Sequence, residues 1–126
     1  MLRLFSLFGR SADMSALDDA LRGAGLHPLL VPEAVKLTVL RLCKRRGTEG
    51  GGPACRTEAA ELLAYCLLGR GGFAEASGAA AAEAAERRVE AAIAAGDSFD
   101  ARIILLALHA GLVAPDIADR FEIEDR

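Results

Sequence analysis

Residues 74–95, AEASGAAAAEAAERRVEAAIAA, constrain this chain more than any other stretch. Twelve of them are alanine, the residue that loses least on entering a helix, because it fixes no rotamer and buries no polar group. Such a segment is helical whatever surrounds it, and Gly78 near its start does not change that. Val89 and Ile93, four residues apart, are expected to mark its buried stripe. Its small side chains also let a second helix approach closely.

The rest of the chain keeps the same period. Ser11, Asp13 and Ser15 are acceptable N-caps, with Asp18 completing a capping box to Ser15, ahead of Leu17, Ala20, Leu21 and Ala24. Gly23 and Gly25 end that helix. Pro32 and Glu33 open the next, EAVKLTVLRLCKRR, which reaches about Arg46 and is apolar over much of its circumference, as a central helix would be. GTEGGGPACR, residues 47–56, reads as a flexible glycine-rich loop. Thr57 then starts a helix with Ala59, Leu62, Leu63, Cys66 and Leu67 inward, closed by Gly69 to Gly72. Gly96 ends the alanine-rich helix, Asp97 or Ser98 caps a helix from Phe99 to about Ala110, and Pro115 starts a last short one.

These elements predict an all-α fold, a compact single-domain bundle of five to six helices arranged mostly as antiparallel or orthogonal hairpins. Residues 2–8, LRLFSLF, fit either a helix or a short extended N-terminal segment. At 126 residues, a chain of this kind buries about two-thirds of its unfolded surface. Its apolar fraction is 52% but aromatics are only 5%, so the core is aliphatic and alanine-rich.

Around the first hairpin, Leu63, Ala64, Gly71, Phe73 and Ala76 give residues 63–88 a resemblance to a tetratricopeptide hairpin. That family implies a helix pair repeated every 34 residues or so. The pattern does not recur at that offset: Asp97, Ser98, Leu105 and Ala107 lie ahead, and Leu29, Leu30, Leu37 and Val39 behind. Since solenoids bury their cores by stacking copies, the segment is read as an ordinary pair of helices.

Several function classes are disfavoured. The longest apolar run starts at Ile103 and carries His109, well short of the roughly 20 residues a spanning helix needs. The N-terminal apolar stretch is too short for a secretory signal, and three cysteines without C-x-x-C spacing suit a reduced, cytoplasmic setting. No spacing of His, Cys or acidic residues suggests a metal, and no glycine loop carries the residues of a phosphate cradle, so no metal, cofactor or catalytic residue is assigned. A small-molecule pocket, if one exists, would draw on Cys43, Tyr65, Cys66 and His109, with Cys66 and His109 as a conceivable nucleophile pair. The basic cluster Arg41, Lys44, Arg45, Arg46 and Arg56 would serve a nucleic acid, but the net charge of −3 argues against one.

Charge is unevenly distributed: residues 1–70 carry ten Lys/Arg against seven Asp/Glu, and the remainder five against eleven. Together with more apolar surface than a small monomer readily buries, this makes a non-catalytic protein acting through protein–protein contact, as a homodimer or adaptor, the leading expectation.

Overall fold

The computed structural model describes residues 2–46 and 52–123, with side chains from residue 12 onward. Among them are six α-helices and no strand: α1 (Leu2–Gly23), α2 (Glu33–Arg45), α3 (Pro53–Ser77), α4 (Ala79–Ala95), α5 (Phe99–His109) and α6 (Pro115–Phe121). A short 3-10 turn, Pro28–Leu30, lies between α1 and α2. The expected all-α bundle is what the chain forms.

The first helix is longer than its cap signals indicate. It runs without a break from Leu2, so residues 2–8 are helical rather than extended, and Ser11, Asp13 and Ser15 lie inside it. A serine caps a helix only where the preceding backbone is not helical already. Asp18 serves a different partner: its carboxylate accepts from the Lys36 ammonium at 3.0 Å, tying α1 to α2. Lys36 is the one buried charged residue described, 8% exposed. The predicted inward set Leu17, Leu21 and Ala24 is buried.

The central helix is α3, not α2, since α3 packs against all five others. The reason is in its sides. Helix α3 buries Cys55, Ala59, Ala60 and the unbroken run Leu62–Cys66, whereas α2 is covered along one face only. The glycine-rich connection is also shorter than expected. Pro53, at home in a first helical turn, starts α3, so residues 53–56 are helical and Thr57 is not the opening residue. The remainder of that loop, residues 47–51, lies outside the described residues.

The hairpin expected at Gly69 to Gly72 is placed differently. Gly69 alone leaves helical geometry (φ 80°, ψ 171°), and the backbone resumes the helix to Ser77. The break between α3 and α4 falls at Gly78 (φ 100°, ψ 159°). Asp116, in the first turn of α6, explains why the chain resumes after Gly69: its Oδ2 accepts the Arg70 amide at 3.0 Å, capping the second half of α3 from another helix. A second close approach fixes Gly25, where an added Cβ would lie 2.4 Å from that of Ala76.

Later elements follow their signals. Ser98 Oγ accepts from the Ala101 amide at 3.1 Å and caps α5. Gly96 ends α4 in the left-handed region at φ 74°.

Candidate functional site

Of the four pocket candidates, Cys43, Tyr65 and Cys66 are buried in the core and His109 is exposed. Tyr65 is wholly buried, its ring meeting Phe73 edge-on at 5.7 Å between centroids. Burial pushes its phenol up from the ordinary value. Cys66 is equally enclosed, and burial pushes its thiol up to about 12. Its carbonyl accepts the Ala114 amide, anchoring the segment that leads into α6. Cys43 is buried against Cys55 at the far end of α2; burial, then the neighbouring Cys55 thiol, raise it to about 12. A thiol held protonated is a poor nucleophile. His109 lies exposed in the last turn of α5, whereas Cys66 is enclosed. None of the four lines a cavity described below.

The basic cluster is split rather than continuous. Arg41 and Lys44 border a cavity of about 250 Å³ together with Asp13, Leu37 and Leu40. Arg46 turns the other way: its Nη1 meets Glu58 Oε2 at 2.8 Å and Cys55 Sγ at 3.5 Å, and its guanidinium stacks 4.5 Å from the Phe99 ring centre. Glu58, first, holds the Arg46 guanidinium above its ordinary value. Arg56 is half-buried on α3.

Arg46 stands where two cavities adjoin. The larger, about 480 Å³, is lined by Arg46, Glu58, Arg88, Ala91, Ala92, Ala95, Ser98, Phe99 and Asp100. The smaller, about 210 Å³, adds Leu42, Arg45, Asp97 and Arg102 to the shared Arg46, Ser98 and Phe99. Each arginine at the base is held by an acid. Arg88 grips Asp100 with two hydrogen bonds of 2.9 and 2.8 Å and donates to the Glu58 carbonyl at 3.0 Å. Bidentate pairing of this kind fixes the plane of a guanidinium. Arg102 pairs with Asp97 at 3.2 Å at the exposed rim.

On the opposite side of α4 the surface changes character. Ala92, Ile93, Gly96, Ala101, Ile104, Leu105 and Ile123 form an apolar groove of about 170 Å³ between α4 and α5. Val89 is buried as expected, but Ile93 is 49% exposed, and Leu105 across the groove is 47% exposed. Ile93 therefore does not belong to the buried stripe. The buried stripe of α4 runs through Ala82, Ala85, Val89 and Ala92, and so turns past Ile93. The same residue Ala92 lies between groove and cleft, so the last turns of α4 form their common wall.

No known protein family, curated protein or solved structure matches this chain. What it does is therefore argued from these surfaces alone.

Reading the sequence missed Glu58, Arg88, Phe99, Arg102 and Leu105 as surface-forming groups. The hydrogen bonds of Glu58 and Arg88 span 12 to 30 residues along the chain, and Phe99 meets Arg46 from farther still; only Asp97 with Arg102 is local. Spacing rules for a single helix carry no signal of such pairs.

Proposed function

We propose that this protein acts through protein–protein contact, without catalysis of its own, and that the contact is a homodimer made by the α4–α5 face. The observation that carries this reading is the pair Ile93 and Leu105, two large aliphatic side chains each about half exposed on either side of an apolar groove. Isolated exposed leucines are common on monomers; a facing pair over an apolar floor of Ala92, Ala101 and Ile104 is a docking surface.

Charge around the groove favours a second copy as its occupant. Glu90 lies three residues before Ile93 on α4 and Arg102 three before Leu105 on α5, and both are exposed. The α4 rim thus carries an acid, and the α5 rim an arginine that also pairs within its own chain with Asp97, beyond the end of α4. A two-fold axis that lays α4 of one copy against α5 of the other sets acid against base on both sides, as an isologous interface requires. Alanine-rich α4 lets the two backbones approach closely.

Ile93→Glu and Leu105→Glu place charge on this surface without disturbing a buried group. Each is expected to shift wild-type protein from dimer to monomer on sedimentation equilibrium while leaving the helical circular dichroism signal intact. A monomeric wild type, or a dimer indifferent to both substitutions, removes the proposal.

A further inference from the structure

We infer that the cleft between the end of α2 and the α4–α5 corner is a binding site for a small organic anion, with its oxyanion group at the arginine rim and an apolar or planar body along α4. The inference stands on the geometry of the two adjoining cavities and does not depend on the dimer.

Three features support it. The larger cavity has the size usual for small-molecule sites, which run from about 300 to 1,000 Å³ and combine apolar walls with a few fixed polar groups. Its apolar wall is Ala91, Ala92 and Ala95 on one side and the Phe99 ring on the other. Arg46 and Arg88, its fixed polar groups, are held in place before any ligand arrives, Arg46 by Glu58 and by stacking on Phe99, Arg88 by its two-point grip on Asp100. A guanidinium already fixed loses little freedom on binding.

Charge then orients the ligand. In the larger cavity Arg46 and Arg88 face Glu58 and Asp100, so the body of the ligand meets a neutral wall. In the smaller cavity Arg46 is already paired with Glu58 and Arg102 with Asp97, which leaves Arg45 as the uncompensated cation. Arg45 is exposed there and, among the described residues, is in no ion pair. An oxyanion settles at this end, where a guanidinium offers it charge-assisted hydrogen bonds, and the body extends over Phe99 toward Ala95. A bare inorganic anion would use only the rim and leave the apolar wall wet.

The test uses 1-anilinonaphthalene-8-sulfonate, an aromatic body bearing one oxyanion, titrated by fluorescence into the full chain. Wild-type protein is expected to bind it, with inorganic phosphate and propionate as separate competitors to tell a phosphate-selective rim from a carboxylate-selective one. Arg45→Gln should raise the Kd about tenfold, the loss of one charge-assisted hydrogen bond. Ala95→Phe, which fills the cavity from the exposed side of α4, should abolish binding. Leu105→Glu, on the far side of α4, should leave binding unchanged even if it splits the dimer. Failure of wild type to bind, binding that survives Ala95→Phe, or binding lost with Leu105→Glu overturns the inference. Circular dichroism and thermal midpoints of each variant establish that it is folded.

Discussion

Asp116 occupies the space that a side chain at Gly69 would need: an added Cβ would lie 2.6 Å from Asp116 Oδ1, while Oδ2 accepts the next amide, that of Arg70. A glycine on α3 and an acid on α6 thus make one joint, and α6 depends on it for its position. Gly69 also holds φ 80° with ψ 171°, a region open to little but glycine. Gly69→Ala is expected to destabilise the fold by about 2–3 kcal/mol in urea unfolding, the sum of backbone strain and displacement of Asp116. In Asp116→Ala background the same substitution should cost measurably less, because the clash is gone and only the strain remains.

Lys36 and Asp18 form another long-range tie, between α1 and α2. Removing the acid takes away the carboxylate that pairs with the ammonium of Lys36, a residue only 8% exposed. Asp18→Ala should therefore cost about 1–3 kcal/mol, whereas Lys36→Met, which keeps the aliphatic packing and removes the charge, should cost less than half as much. Equal losses would show that the ion pair, rather than the stranded charge, sets the energy.

How far the sequence foretold this fold depends on where each instruction resides. Local instructions were legible. Alanine in α4, Gly96 after it, Ser98 before α5 and Pro115 at the start of α6 all act within a turn of their own position, and the three helices formed, α4 beginning after Gly78 rather than at Ala74. Instructions that depend on another element were not. Gly69 through Gly72 carried every mark of a helix end, yet Asp116, 46 residues later, restarts the helix at Arg70. The arginine cleft was equally hidden, because Arg88 meets Asp100 and Arg46 meets Glu58 only once their helices are packed together. Ile93 was misplaced because the buried stripe takes a three-residue step from Val89 to Ala92, and spacing alone does not choose between a step of three and a step of four.

Glu86 gathers two cations, Arg70 at 2.6 Å and Arg120, and so joins α3, α4 and α6. Burial alone would raise its carboxyl, but Arg70 and Arg120 hold it below its ordinary value. A carboxyl lowered in the folded state binds fewer protons there than when unfolded, so its contribution is present above the ordinary carboxylate range and is lost as pH falls through the lowered value. Wild type should exceed Glu86→Gln in urea midpoint at pH 7, and the gap should close by about pH 3, below the carboxylate range. A gap that stays constant with pH would assign the difference to packing.

The enclosed thiols act at the opposite end of the pH scale. Cys43 and Cys66 are each raised to about 12 from an ordinary 9.0. Unfolded chains then lose thiol protons that the folded protein keeps, so stability is full below the ordinary value and declines as pH rises from 9 toward 12. Cys66→Ala should flatten part of that alkaline decline, at a cost to packing that is the same at every pH. In folded wild type at pH 8, iodoacetamide should leave Cys66 unlabelled on a timescale that labels the unfolded chain fully.

The central claim, that the α4–α5 face joins two copies, is tested most directly by the mass of the unmodified protein. Static light scattering on a micromolar solution eluting from a sizing column should return about twice the chain mass of 13.2 kDa. A single 13.2 kDa species at every concentration up to the millimolar range would contradict it.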